Sequence, residues 1–195
     1  MTLRRGSHEI NLTLYGKSPF GVLLCPPHPR YGGNREDSRL VTIADELAAA
    51  GLFAACLDYS AYTGGAGEID DVLFVLGSLG KNLASLDLLG YSYGAVVAAN
   101  AAARFQSIKS LVLMSPLIKI DNLQIDLNSP CRKLIIYGLH DDLVAGNIDE
   151  LYKSAKGKKQ KLSLDTDHFY LGYETAVARA VREFFQALPD SIDSN

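Results

Sequence analysis

Apolar residues along this chain recur in two rhythms that take turns. "HEINLTLYG" (His8 to Gly16) alternates polar and apolar at every second position, the pattern of an edge strand. "FGVLLC" (Phe20 to Cys25) is continuously apolar, as a strand buried on both faces is. From about Glu36 to Gly51 the spacing changes. Leu40, Ile43, Ala44, Leu47 and Ala48 mark one face of a helix, and Gly51 supplies its stop. "LFAACLDY" reads as a second buried strand, followed by a helix from near Glu68 to about Leu79. The series continues with strand "SLDLLG", helix "GAVVAANAAARF", and strands "SLVLMSP" and "KLIIYG". A helix over Asn147 to Ala155, strand "KLSLD" and helix Glu174 to Leu188 complete it.

Strands regularly separated by helices form βαβ units, whose crossovers make neighbouring strands parallel and cover both faces of the sheet. The pattern predicts the α/β class, with a mostly parallel central sheet, helices on both faces, and one domain over residues 1–195. The tail after about Pro189 is polar and expected to fray. The stretch from Pro116 to Pro130 is too short for a subdomain, so a site on this sheet is expected to be open rather than lidded.

Composition narrows the partners more than the fold. A net charge of −3 argues against a nucleic-acid or membrane-surface binder. The lysine-rich run Lys153 to Lys161 has no interleaved aromatics and reads as a solvated helix end. Cys25, Cys56 and Cys131 share no metal-type spacing and read as small buried residues in a reducing compartment. "MTLRRGSHEINL" lacks the apolar run of a signal peptide, and no segment is apolar enough to span a bilayer, so a cytoplasmic location is expected. Gly64-Gly65-Ala66-Gly67 lacks both the lysine of a P-loop and the spacing of a dinucleotide fingerprint.

In an open parallel sheet, sites form where strands end at their carboxyl edge. Strand "SLDLLG" delivers Ser92 there, inside Gly90-Tyr91-Ser92-Tyr93-Gly94. A G-x-S-x-G turn between strand and helix projects the serine oxygen above the sheet, and the glycines make room for the sharp bend. A serine needs a base, and His168, in "LDTDHFYLG" after the last strand, is the candidate. The base needs a carboxylate, and strand "KLIIYG" leads into His140-Asp141-Asp142. Asp141 is preferred, with Asp142 left to cap the next turn or face solvent. An oxyanion needs two N–H donors. The N–H of Tyr93 is one candidate, and that of Arg30, in the loop "CPPHPRYGGN", is the other, although this loop also reads as an ordinary Pro/Gly turn. Tyr91, Tyr59 and Phe169 are candidates to line a substrate pocket, the alternative being that they close the core.

These residues carry a family resemblance. The chain resembles compact, lidless α/β-hydrolases of the dienelactone-hydrolase-like kind in "HPRYGGN", in "GYSYGA", and in Gly138/Asp141/Val144 followed by "DHF". "TGGAGEIDDV" (Thr63 to Val72) resembles the Gly-rich acidic loop that opens the next helix in such proteins. The resemblance runs from about Leu14 to Leu188. It implies Ser92 as nucleophile, Asp141 as acid, His168 as base, and Arg30 with Tyr93 as oxyanion donors. Two departures stand out: Pro26-Pro27 precede His28 where the family often has His-Pro-His-Pro, and the segment around Pro116 to Pro130 is abbreviated. Dienelactone hydrolases proper use cysteine as nucleophile, so that activity is not implied. The expectation is a carboxylesterase-like serine hydrolase acting on a small acyl substrate, without metal, organic cofactor, nucleic acid or membrane partner. A peptidase or thioesterase with the same triad, or a non-catalytic scaffold, are the rival readings.

Overall fold

The computed structural model describes residues 1–187. Leu188, the expected end of the last helix, and the tail beyond it lie outside the described residues. In chain order the elements are β1 (Thr2–Arg5), β2 (His8–Tyr15), β3 (Phe20–Cys25), α1 (Ser38–Ala49), β4 (Phe53–Leu57), α2 (Ala66–Leu79), β5 (Ser85–Tyr91) and α3 (Tyr93–Arg104). They continue with β6 (Ser110–Met114), β7 (Lys119–Ile120), β8 (Leu123–Gln124), β9 (Arg132–Gly138), α4 (Ile148–Ser154), β10 (Lys159–Leu164) and α5 (Glu174–Gln186).

The main sheet runs β1-β2-β4-β3-β5-β6-β9-β10. Every pair from β4 to β10 is parallel, while β1–β2 and β2–β4 are antiparallel. The alternation over His8–Tyr15 therefore reports a strand with one wet face, as expected, but β2 is not the edge. The short β1 pairs outside it through a hairpin at Gly6, whose φ of 62° suits a glycine. Four residues of mixed polarity are too short a run to announce such a strand.

Within each central strand, successive residues face opposite layers. Leu23 and Cys25 pack under α2, α3 and α4, whereas Val22 and Leu24 pack under α1 and α5. On α1 the buried residues are Leu40, Ile43, Ala44 and Leu47, the expected face, and Asp37 caps its first turn by accepting from the Arg39 N–H at 3.1 Å. Leu47 is fully buried, and cutting it to alanine costs about 2–5 kcal/mol. From Tyr93 to Ala102 every residue of α3 is buried, which its small side chains permit. No helix among the described residues is long and apolar enough to cross a membrane.

One buried charge needs an account. Lys133 on β9 is fully buried, and its ammonium donates to the carbonyls of Ser129, Cys131 and Lys156. Three donors meet three acceptors, so the group is satisfied without a carboxylate. Burial still pulls its pKa below the usual lysine value.

The register levels the carboxyl ends of the central strands. Cys25 lies beside Gly90, Tyr91 beside Met114, Met114 beside Ile136, and Gly138 beside Leu164. The loops after β3, β5, β6, β9 and β10 thus emerge along one edge.

Candidate active site

Ser92 sits at this edge with φ 56° and ψ −117°, outside the regions most residues occupy. The glycines explain how the chain gets there. A Cβ on Gly90 would lie 2.1 Å from the Gly94 carbonyl oxygen, and one on Gly94 would lie 2.2 Å from that of Cys25. Neither position admits a side chain. The Ser92 N–H donates to the Met114 carbonyl at 2.8 Å, which pins the elbow to the neighbouring strand.

Three side chains from separate loops converge here. His168 Nε2 lies 3.0 Å from Ser92 Oγ, and His168 Nδ1 lies 2.8 Å from Asp141 Oδ2. A carboxylate facing Nδ1 selects the tautomer with its proton there, leaving Nε2 free to accept from the serine hydroxyl. The two loops are held together by contact at Gly138, where a Cβ would lie 2.3 Å from the Thr166 carbonyl oxygen. Burial pushes the Asp141 carboxyl up. Hydrogen bonds from His168 and Ser115 outweigh that and hold it below the usual carboxylate range. Asp142 is exposed, and the His168 ring meets Asp141 instead.

Two residues around Asp141 were not singled out from the sequence. Ser115, in positive φ after β6, donates to Asp141 Oδ2 at 2.7 Å, and its oxygen lies 2.9 Å from the Tyr170 hydroxyl. Tyr170 is fully buried and also donates to the Ile136 carbonyl at 3.2 Å. The available signal for Ser115 was its place at a strand's carboxyl end in "LMSP", the same logic that singled out Ser92.

The expected pocket residues separate. Tyr91 and Phe169 line a cavity of about 320 Å3 that also holds Ser92 and His168. Tyr91 does more than line it. Its hydroxyl donates to the His168 carbonyl at 2.8 Å and accepts from Arg39 Nη1 at 2.9 Å, fixing the loop that carries His168. Tyr59 does not line the cavity; its hydroxyl donates to the Pro26 carbonyl at 3.3 Å, so it braces the loop after β3. Leu117, Ile120 and Leu143 add apolar walls. Leu117 and Ile120 come from the Pro116 to Pro130 segment, which forms no subdomain, as expected, but folds back as the β7–β8 hairpin. A larger hollow of about 810 Å3 opens at the opposite end of the sheet, beside Phe20, Ser85 and Ser110, away from this chemistry.

The oxyanion candidates differ in availability. The Tyr93 N–H, at the first position of α3, makes no hydrogen bond among the described residues, as expected of a helix start. The Arg30 N–H instead donates to His28 Nδ1 at 3.2 Å, because the histidine caps the 3-10 turn Pro29–Tyr31. That proton is spent inside the loop, so Arg30 does not fit the role expected of it. The N–H of His28 makes no hydrogen bond among the described residues, and His28 lines the cavity.

No protein-family model matches the chain, and no curated protein matches it in sequence. Solved structures do match. An α/β serine hydrolase homologue from Coxiella burnetii is 18% identical, with a TM-score of 0.84 over 94% of this chain and 95% of that one. An α/β serine hydrolase without a lid from Xanthomonas campestris is 21% identical, with a TM-score of 0.76 over 97% and 95%. Est1E from Butyrivibrio proteoclasticus is 16% identical, with a TM-score of 0.79 over 94% and 96%, and it has also been solved with ferulic acid bound. Strand order, elbow and these likenesses agree on one architecture: the chain has the α/β-hydrolase fold.

Proposed function

We propose that the protein is a serine hydrolase that cleaves esters of compact, uncharged acyl groups through an acyl-enzyme. One observation carries this reading: Ser92 Oγ, raised on a strained elbow, stands 3.0 Å from a histidine whose other nitrogen faces a buried carboxylate. As Ser92 Oγ bonds to the ester carbonyl carbon, its proton passes to His168 Nε2, and the carbonyl electrons move onto oxygen. The N–H groups of Tyr93 and His28 receive that oxyanion. Its collapse breaks the carbon–oxygen bond to the alcohol, which leaves with the proton from His168. Water then repeats the two steps and releases the acid.

The cavity supports an uncharged acyl group. Its volume of about 320 Å3 is near the lower end for ligand sites. Arg39, the cation on its wall, is already committed to Asp37, to the Tyr91 hydroxyl and to the Phe169 carbonyl. A short or medium acyl chain, or a single aromatic ring such as that of the acid bound by Est1E, fits such walls. Thioesters and amides pass through the same intermediates, and a chain-length series of p-nitrophenyl, thio- and anilide substrates ranks them.

The test is labelling by a fluorophosphonate probe. Wild type is expected to label and Ser92→Ala is not. Equal labelling of both, or none of the wild type, would overturn the reading in favour of a scaffold that only keeps the fold.

A further inference from the structure

A second histidine–aspartate pair has its histidine, His28, on the cavity wall. His28 Nε2 lies 3.2 Å from Asp121 Oδ2, and the Tyr62 hydroxyl donates to the same oxygen. Because Nδ1 of His28 already accepts the Arg30 N–H, the ring proton sits on Nε2 and is donated to Asp121. Tyr62 and His28 hold the Asp121 carboxyl below its usual range, so it is an anion at neutral pH. Arg30 stacks over the Tyr62 ring at 4.6 Å, adding a cation to the cluster.

The position of His28 matters more than its charge. Its carbonyl accepts from the N–H groups of Tyr31 and Gly33, at 3.0 and 3.1 Å, and thereby shapes the loop after β3. Its ring packs against Tyr93 at 4.7 Å, the residue that follows the nucleophile. Its own N–H makes no hydrogen bond among the described residues. Asp121 occupies the turn of the β7–β8 hairpin with φ 52°, a conformation aspartate tolerates better than most residues. The preceding residue, Ile120, lines the cavity.

We propose that Asp121 positions the oxyanion loop by holding the His28 side chain, so that the β7–β8 hairpin is part of the catalytic apparatus as well as a wall of the acyl cavity. Neither residue exchanges a proton with substrate; both are positioning residues, and the inference rests on Ser92 being the nucleophile. Donors to a developing oxyanion lose most of their effect when displaced by a fraction of an ångström, so slack in His28 costs turnover rather than binding.

The experiment compares D121A, D121N and H28N with wild type, using a p-nitrophenyl ester and a fluorophosphonate whose P=O group uses the same donors. D121A lowers kcat and the labelling rate together by about 10- to 100-fold, with KM within about twofold. D121N keeps a carbonyl acceptor for His28 and recovers to within about threefold of wild type. H28N can still cap the Arg30 N–H but cannot reach Asp121, and behaves like D121A. Amide exchange of Arg30, Tyr31 and Gly33 rises in D121A and H28N but not in D121N, whether or not the protein turns over. Wild-type kcat in D121A or H28N, a loss confined to KM, unchanged exchange, or D121N no better than D121A would each overturn the proposal. A wild type that neither labels nor hydrolyses fails the hydrolase reading instead, and the exchange data still decide the positioning.

Discussion

Three histidine–aspartate pairs occur among the described residues at nearly the same contact distance, and they differ in their surroundings. His168–Asp141 is 2.8 Å apart, His28–Asp121 is 3.2 Å, and His140–Asp165 is 2.7 Å. Distance does not rank them. Exposure of the carboxylate does: 0% for Asp141, 43% for Asp121 and 76% for Asp165. In water an ion pair trades one good solvent for another and is screened, whereas in a dry site the same contact sets tautomer, orientation and charge. The three pairs therefore run from a dry contact beside Ser92, through a half-exposed one, to the open surface.

The comparison breaks first at Asp141. Asp141→Asn keeps the size of the side chain but can present an N–H to His168 Nδ1, which favours the wrong tautomer. We expect kcat to fall by about 10^3- to 10^4-fold with the fold retained. A loss below tenfold, with unchanged circular dichroism, would show that burial does not rank these pairs.

Ser115→Ala is the next largest test, because it removes a donor to Asp141 while leaving every triad member in place. The expected loss in kcat is about tenfold, and the pH dependence of stability sharpens the assignment. The folded Asp141 carboxyl is held below its ordinary value, so it contributes stability above the unfolded carboxylate range, about pH 4. That contribution disappears as pH falls through the lower, folded value. Without Ser115 the folded value rises, and the acid unfolding midpoint should move to higher pH. A midpoint that stays put while kcat falls would assign Ser115 to something other than holding the carboxylate.

What could be read from residues alone follows the same division. The elbow was legible because two glycines and a serine at fixed spacing must solve a local steric problem, and Gly90 and Gly94 solve it against Gly94 and Cys25 carbonyls. The parallel strands were legible because β3, β5, β6 and β9 are apolar on both faces. The supports were not. Asp121 meets His28 across 93 positions, and Ser115 meets Tyr170 across 55, so no local pattern joins them. Arg39 hides in the first turn of an amphipathic helix, where a cation reads as solvated. The β7–β8 hairpin has only two residues per strand, below the length at which alternation becomes a signal. Arg30 failed the role expected of it for a related reason, since whether an N–H is free depends on its neighbour's side chain.

The smallest expected effect comes from the pair that looks best on distance alone. His140 and Asp165 lie on the loops that carry Asp141 and His168, one position before the first and three before the second. If proximity to the triad were enough, Asp165→Ala would disturb turnover. The backbone argues otherwise: the His140 N–H donates to the Thr166 carbonyl at 3.0 Å, and the Leu139 N–H to the Leu164 carbonyl at 2.8 Å, so the loops are joined without the side chains. Both side chains are mostly in water, where their attraction is screened. Asp165→Ala should leave kcat, KM and Tm within measurement error at both low and high salt. A drop in kcat that grows as salt is lowered would mean that a solvent-exposed pair steers the triad, and burial alone would no longer separate machinery from surface here.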